Sequence, residues 1–225
     1  MRRGKINFTF TYMDKSQAAA AVFDKCANLY QDKFMDVGLY HRSFDLFCDS
    51  IAKENADVLE LACGPGNITK YLSKKRPDLK ILGTDLAPNM IALAKKNNPT
   101  ATFQLLDCRE IGSIDKKYDA IMCGFCLPYL SKEEAVKLIR DAAQILNPGS
   151  VIYISTMEDD YSKSGYKKGS TGDEIFMNFH QADYLSTALG ENHFNIIDLQ
   201  RQNYPEKDGT NTIDLIIIAR REIIL

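Results

Sequence analysis

Short apolar runs alternate with stretches of helical periodicity from residue 57 onward. The first run covers residues 58–62 and is followed by Gly-Pro-Gly at residues 64–66, after which apolar residues recur from Ile68 at three- and four-residue spacing. A short apolar run that ends in glycines is typical of a buried parallel strand. The pattern therefore predicts a strand, a tight turn and a helix in succession.

The alternation of strand and helix continues along the chain. Further strands are predicted at residues 79–85, 101–106, 118–123 and 151–155. One helix starts at Pro88, a residue suited to the first helical turn, and another follows Ser131, whose spacing to Glu134 is that of a capping box. Parallel neighbours need a crossover connection, which these helices supply. The pattern predicts an α/β fold with a doubly wound sheet.

The two ends of the chain depart from this alternation. A helix at residues 181–189 precedes two strands at 194–203 and 212–220; these are joined without a helix, across the turn-forming pair Asp208-Gly209, so we expect an antiparallel hairpin. Helical patterns at residues 18–34 and 39–52 predict an N-terminal helical cap over residues 1–55, ahead of a main domain at 56–225. Residues 157–178 are expected to form a long loop.

Composition narrows the class of partner. The chain has 225 residues, 45% of them hydrophobic and 26% charged, and its net charge of −2 gives no positive excess for nucleic acid or an anionic membrane. A small-molecule or protein substrate is favoured. The basic start of the chain lacks the apolar core of a signal peptide, and no stretch approaches the roughly 18 apolar residues of a membrane span. We expect a cytoplasmic protein, and the sequence leaves its oligomeric state open.

The six cysteines lie mostly within apolar runs, which favours buried and reduced thiols. Cys123 and Cys126 form a C-x-x-C pattern, so a redox pair or half of a zinc site is the alternative. No second C-x-x-C exists, and the three histidines are not at ligand spacing from this one. We predict no metal site, and the redox role of the pair stays open.

Three acidic residues stand at or near the ends of consecutive predicted strands: Glu60, Asp85 and Asp107. The carboxyl ends of parallel strands meet at one edge of the sheet, so all three can converge on one crevice. Carboxylates there can accept from ribose hydroxyls or an adenine amine, or favour a ligand ammonium. The alternative for a single acid is structural, with Asp85 capping a helix and Asp107 in a loop. All three beside a glycine turn favour a nucleotide-like cofactor.

The glycine turn discriminates among nucleotide sites. It lacks the G-x-x-x-x-G-K-[ST] sequence of a P-loop. The dinucleotide fingerprint G-x-G-x-x-G/A has Thr69 at its third glycine position, which leaves less room for close packing of helix and strand. An acidic residue placed to bind a ribose, such as Asp85, is compatible with several kinds of nucleotide site and does not distinguish between them. The embedded Glu60, together with Asp107 and the terminal hairpin, separates this site from a dinucleotide site.

Four segments together resemble the class I S-adenosylmethionine-dependent methyltransferases of the Rossmann-like methyltransferase superfamily. They are residues 58–67 (VLELACGPGN), 83–90 (GTDLAPNM), 105–108 (LLDC) and 118–121 (YDAI). The resemblance implies a seven-stranded sheet of order 3-2-1-4-5-7-6 with strand 7 antiparallel. It also implies S-adenosylmethionine as cofactor and methyl transfer to a small-molecule acceptor by in-line displacement. The alternatives are a non-catalytic regulatory protein that binds S-adenosylmethionine or S-adenosylhomocysteine, and then a nicotinamide oxidoreductase.

The same resemblance implies which residues hold the cofactor. They are Glu60, Ala62 and Gly64 at its methionine part, Asp85 at the ribose, Asp107 at the adenine amine, Leu86 beside the adenine, Cys108 through its backbone N–H, and the segment from Cys123 to Phe125 under the methionine part. Gly66 lets the backbone approach the ligand because it has no Cβ. Tyr30 and the pair Tyr40-His41 are candidate walls from the cap, with plain packing as the alternative for Tyr30. Ala62 stands where many relatives carry glycine, and alanine fits there if its φ is negative.

A catalytic base is needed only if the nucleophile of the acceptor is protonated. The candidates are His180, which follows the predicted loop, and His41, with His193 after them. The alternative for His180 is a solvated residue at the start of a helix. The sequence therefore assigns no catalytic residue.

Overall fold

The computed structural model describes residues 14–169, 171–206 and 209–223, so the basic start of the chain and Asp208 lie outside the described residues. The helices are α1 (Lys15–Lys25), α2 (Ala27–Phe34), α3 (His41–Ser50), α4 (Asn67–Lys75), α5 (Pro88–Asn97), α6 (Lys132–Ile145) and α7 (Ala182–Glu191). The strands are β1 (Asp57–Leu61), β2 (Lys80–Asp85), β3 (Thr102–Leu105), β4 (Tyr118–Cys123), β5 (Leu146–Glu158), β6 (Gly165–Lys168), β7 (Glu174–Met177), β8 (Phe194–Pro205) and β9 (Asn211–Arg221). None of these helices is both long and apolar enough to cross a membrane.

Seven strands form one sheet in the order β3-β2-β1-β4-β5-β9-β8, while β6 and β7 form a separate hairpin. The strands β1 to β5 pair in parallel, and β9 is antiparallel to both of its neighbours. Counted within this sheet alone, the order is 3-2-1-4-5-7-6 with strand 7 antiparallel. The fold predicted from the sequence, including the terminal hairpin, is confirmed.

Apolar side chains cover both faces of the sheet. On one face α6 and α7 bury residues such as Leu138 and Leu185. On the other face α3 buries Phe44 and Phe47 completely, and both rings pack on Tyr153 of β5. Each fully buried side chain of this kind contributes about 1.5–3 kcal/mol. The helix α3 is therefore a stabilising layer of the sheet, and the division of the chain at residue 55 stays a prediction.

The start of α6 follows its sequence signal, while the start of β5 does not. Ser131 accepts a hydrogen bond from the Glu134 N–H at 3.2 Å, and the Glu134 carboxylate accepts from the Ser131 N–H at 2.7 Å. The strand β5 begins at Leu146, directly after the helix, where it pairs with Tyr118 before the register shifts. Pairing with β4 resumes at Val151, where pairing with β9 also begins, so Asn-Pro-Gly at residues 147–149 lies at the irregular part of the strand, with a φ of +80° at Gly149.

Two expectations about irregular and helical segments are wrong. Residues 157–178 do not form a structureless loop, because β6 and β7 pair antiparallel there. Strands of four residues are too short to show a two-residue periodicity, so the pattern gave no signal for them. The helical pattern at residues 18–34 is interrupted at Cys26, whose φ of −102° and ψ of 13° separate α1 from α2.

Candidate functional site

The turn after β1 has a left-handed backbone at three positions. The angle φ is +50° at Ala62, +53° at Gly64 and +79° at Gly66. Glycine adopts such values freely, whereas a residue with a Cβ loses roughly 1–2 kcal/mol. The condition under which alanine would fit here, a negative φ, is therefore not met, and this alanine holds a strained conformation. Strain of this kind is concentrated at functional sites.

Gly66 is required by packing. A Cβ at this position would lie 2.3 Å from Nδ2 of Asn98 and 3.3 Å from Cα of Ala94 in α5. The Asn98 side chain is buried, and its amide donates to the Gly66 carbonyl at 3.0 Å. Gly66 thus lets the start of α4 lie against α5, which fixes the shape of the turn.

Asp85, the last residue of β2, is tied to the turn. One carboxylate oxygen accepts from the Gly64 N–H at 2.9 Å, and the other accepts from the Ala87 N–H at 2.9 Å. Burial raises the pKa of Asp85 above its ordinary value, and the backbone donors oppose that rise. The carboxylate is therefore fixed in direction by the backbone, with free lone pairs for a further donor.

Glu60 lies behind the turn and is 1% exposed. Its Oε2 accepts a hydrogen bond from the Thr69 hydroxyl at 2.5 Å, and its Oε1 is buried without a partner among the described residues. Burial raises the pKa of Glu60 to about 8, and the nearby negative charge of Asp85 adds to the rise. An unpartnered buried carboxyl oxygen costs free energy until a donor or cation reaches it. The residue at the third glycine position, Thr69, therefore serves to satisfy half of this carboxyl group.

Asp107, after β3, is held by a residue that sequence reasoning missed. The Arg109 guanidinium lies 2.6 Å from Oδ2 through Nη2 and 3.0 Å from Oδ1 through Nε. Arg109 also pairs with Asp14, the cap of α1, and with Glu134 of α6, each at 3.1 Å. The sequence held only a weak signal for this role, a basic residue two positions after the acid. Arg109 links the Asp107 loop to α1 and α6 by charge.

These residues surround one cavity, the central cavity, at the carboxyl ends of β1, β2 and β4. It encloses about 730 Å³, including its open mouth. Seven of the residues predicted to hold a cofactor line it: Tyr30, Ala62, Gly64, Asp85, Leu86, Asp107 and Cys108. Three other residues predicted to hold a cofactor, Glu60, Gly66 and Cys123, are not part of the wall that the described residues form and lie behind it.

The helices α1 and α2 cover the central cavity with apolar and aromatic side chains. Phe23 of α1 and Tyr30 of α2 form part of the wall. Burial raises the pKa of Tyr30 to about 12, so its phenol stays protonated at neutral pH. The Ser16 hydroxyl donates to the Tyr129 carbonyl at 2.6 Å, which fastens α1 to the loop after β4. The cavity is thus closed on this side by a helix that is held in place.

Sequence reasoning missed several further wall residues, among them Phe23, Met90 and Tyr129. Met90 lies in the segment 83–90, which also contains Asp85, so the sequence held a signal that could have placed Met90 in the site. The rings of Phe23 and Tyr129 meet at 5.0 Å, although these residues are far apart in sequence. No local pattern marks such a long-range contact.

The candidate bases do not face the central cavity. His180 is fully buried; its Nε2 lies 2.8 Å from the Leu127 carbonyl and its Nδ1 contacts the Tyr184 hydroxyl. Burial lowers the pKa of His180, so the alternative of a solvated histidine is wrong. His41 is exposed and lies against the ring of Tyr71 at 4.6 Å. Neither histidine is placed to reach a ligand in this cavity.

The cysteines pair differently from the C-x-x-C pattern. The sulfur atoms of Cys108 and Cys126 lie 3.2 Å apart, and both residues line the central cavity. The contact with Cys126 and burial raise the pKa of Cys108 well above its usual range. Within the part of the chain that the structure describes, no group of three or more His, Cys, Asp or Glu residues is arranged to hold a metal ion.

Comparison with known proteins assigns the fold and the domain. Residues 58–149 match the family model described as a methyltransferase domain. A trans-aconitate 2-methyltransferase from Variovorax paradoxus is 36% identical over 101 residues, which are 45% of this chain and 38% of that protein. A demethylmenaquinone methyltransferase from Thermotoga maritima is 24% identical over 184 residues, 76% of this chain and 80% of that protein. The chain thus spans less than two fifths of the length of the first relative.

The likeness extends to solved structures. The magnesium protoporphyrin IX methyltransferase ChlM from Synechocystis PCC 6803, solved with bound SAM, has a TM-score of 0.70 to this chain at 17% identity. The match covers 95% of this chain and 100% of that one, and at this identity it concerns the fold. The match over residues 58–149 gives this chain a methyltransferase domain, and its strand order is the one that the resemblance to the class I S-adenosylmethionine-dependent methyltransferases implies.

Proposed function

We propose that the protein binds S-adenosylmethionine in the central cavity and transfers its methyl group to a small-molecule acceptor. The observation that carries this proposal is the convergence of Asp85, Asp107 and the glycine turn on one cavity. Asp85 would accept from the ribose hydroxyls. Asp107 would accept from the adenine amine, with Leu86 beside the ring and the Cys108 N–H donating to it.

The chemistry of the wall fits the cofactor. S-adenosylmethionine carries a sulfonium and an ammonium group, and the turn that would receive its methionine part has Glu60 behind it and Asp85 beside it. The unpartnered Oε1 of Glu60 would be completed by the ammonium, directly or through water, which would lower the raised pKa of this carboxyl. Phe23 and Tyr30 provide the apolar cover.

The cofactor supplies a methyl group that is already activated as part of a sulfonium. The chain therefore contributes alignment and exclusion of water. The helix α1 is fastened by the hydrogen bond from Ser16 to Tyr129 and by the ion pair between Asp14 and Arg109. These contacts hold the cavity wall in position around the ligand.

A small acceptor is supported by the relatives and by the charge of the chain. The two curated relatives act, by their names, on trans-aconitate and on demethylmenaquinone, both small molecules. A net charge of −2 provides no positive surface excess for nucleic acid.

The direct test is turnover with cofactor that carries a labelled methyl group, incubated with purified protein and a pool of metabolites. We expect labelled products to accumulate together with S-adenosylhomocysteine. Tight binding of both forms of the cofactor without any labelled product would favour the non-catalytic alternative. Failure to bind either form, with binding of a reduced nicotinamide dinucleotide instead, would favour an oxidoreductase.

A further inference from the structure

A second group of polar and aromatic residues lies at the carboxyl end of β5. Asp214 of β9 is opposite Met157 of β5 and Gln202 of β8, and Tyr204 of β8 is opposite Thr212. Residues opposite each other, or two apart, share a face of the sheet. The carboxyl ends of the parallel strands also form the central cavity, so this group adjoins it on the side away from the predicted adenine site.

Asp214 is a buried acid with an unusual environment. It is 3% exposed, and its Oδ2 accepts a hydrogen bond from the Tyr40 hydroxyl at 2.6 Å. Burial raises the pKa of Asp214 to about 6; the Tyr40 bond opposes this rise and Glu206 adds to it. Tyr153 and Tyr204 are the other titratable groups that act on this pair, and no lysine or arginine among the described residues pairs with it.

Contacts connect this pair with the central cavity. The ring of Tyr40 lies 5.1 Å from the ring of Phe125, which lines the cavity. Phe125 has a left-handed φ of +54°, and its N–H donates to the Ser155 hydroxyl at 3.0 Å. Tyr204 is close enough to raise the pKa of both Tyr30 in the cavity wall and Tyr40. Neither Tyr40 nor Asp214 lines the central cavity itself, so an acceptor site that includes this pair would extend from the cavity past the ring of Phe125.

We propose that Tyr40 and Asp214 form the proton-accepting end of the acceptor site, and that the acceptor attacks through a hydroxyl group. This inference rests on the proposed function. A hydroxyl nucleophile must lose a proton as it attacks, whereas a carboxylate nucleophile has none to lose. The same uncompensated acid repels an anionic acceptor, so the site selects a neutral hydroxyl compound over a carboxylate.

These two side chains accept the proton that the reaction releases. The acceptor oxygen forms its bond to the methyl carbon as the carbon–sulfur bond breaks, and that electron pair stays on sulfur as a neutral thioether. The hydroxyl proton passes to the Tyr40 oxygen while the Tyr40 proton passes to Oδ2 of Asp214. Asp214 ends as the neutral acid and later releases the proton to solvent.

The test compares 4-ethylphenol with 4-ethylbenzoate, which share one body and differ in the reacting group. Both are titrated into protein saturated with S-adenosylhomocysteine, for wild type, Tyr40→Phe, Asp214→Asn and the control Asp198→Asn, a half-buried carboxylate of β8. We expect wild type and control to bind the phenol at least about tenfold more tightly than the benzoate, and Asp214→Asn to lose most of that preference.

A carbon-13 titration of Asp214 gives a readout independent of turnover. We expect a midpoint near the pKa of about 6 in wild type and a higher one in Tyr40→Phe, which lacks the opposing hydrogen bond. Equal binding of the two probes, binding of neither, or a preference unchanged in Asp214→Asn would overturn the assignment. Failure of every variant to bind S-adenosylhomocysteine would instead overturn the proposed function.

Discussion

The two halves of the sheet's carboxyl edge hold their acids in different ways. In the half formed by β1, β2 and β3, Asp85 accepts two backbone N–H groups and Asp107 faces the guanidinium of Arg109. In the half formed by β5 and β9, Asp214 meets a phenol and, among the described residues, no cation. Burial raises the pKa of both Asp85 and Asp214, but two backbone donors fix the direction of the Asp85 carboxylate, whereas the one donor that Asp214 meets is a phenol, which can itself pass on a proton. The first half is suited to hold a ligand and the second to take a proton.

Gly66→Ala should break the first half most severely. The new Cβ would meet Asn98 and the backbone of α5 at a φ that alanine resists, so we expect a loss of about 3 kcal/mol in the free energy of unfolding. Urea denaturation measures this loss. The matched control is Gly64→Ala, where the nearest atom is 3.7 Å away and only the backbone strain of roughly 1–2 kcal/mol should remain. Equal losses in the two variants would contradict the packing role of Gly66.

Asp85→Ala should remove the oriented carboxylate while leaving the domain folded. We expect the affinity for S-adenosylhomocysteine to fall about 100-fold, because one charged hydrogen-bonding group is lost from a buried site. Calorimetric titration measures the affinity, and Asp198→Ala on β8 is the control. Unchanged affinity in Asp85→Ala would place the ligand elsewhere.

Arg109→Gln should loosen both Asp107 and α1, since one guanidinium holds Asp107 and Asp14. We expect about a tenfold loss of affinity for S-adenosylhomocysteine, with a small effect on unfolding. Lys163→Gln, which breaks the exposed pair with Asp159, is the matched control and should change neither quantity. A similar loss of affinity in both variants would mean that the loss comes from the change in net charge, and would contradict the specific role of Arg109.

Glu60 should make the stability of the free protein depend on pH. Its pKa of about 8 in the folded protein lies above the ordinary 4.5, so the folded state keeps a proton that the unfolded state loses. The stability is then greatest below the ordinary pKa and is lost as the pH rises towards 8, by more than about 1 kcal/mol. Urea denaturation at several pH values should show this slope in wild type and a flatter one in Glu60→Gln. Identical slopes would contradict the buried, neutral state of Glu60.

Ala62→Gly should give the smallest effect. Relief of the left-handed strain, offset by the greater freedom of glycine when unfolded, should raise the free energy of unfolding by about 0.5–1 kcal/mol. Ala21→Gly, on the exposed side of α1, should lower it by about 1 kcal/mol. A loss of stability in Ala62→Gly would mean that the alanine methyl group matters more than the strain.

The first half of the edge could be predicted from the sequence because its signals are local. The glycine turn, Asp85 and Asp107 each lie within a few residues of a strand end, and the alternation of strand and helix fixes where those ends meet. The terminal hairpin followed in the same way, from a connection too short to hold a helix. The strand order was implied by the resemblance of four local segments to the class I methyltransferases.

The second half could not be predicted because it is built from distant contacts. Tyr40 is hydrogen-bonded to Asp214, 174 positions later in the chain, and Ser16 of α1 is hydrogen-bonded to Tyr129, 113 positions later. His180 has a sequence context typical of a solvated helix start, yet packing buries it completely. The φ of Ala62 depends on how the turn closes over β2, which no residue pattern records.

The most direct test of the central claim is a titration with S-adenosylhomocysteine followed by amide NMR. The account predicts saturable one-to-one binding, with large shifts of the Gly64 and Cys108 N–H signals and small shifts at Gly190, which lies at the far end of α7. The absence of any shift, or shifts confined to residues outside the central cavity, would contradict it.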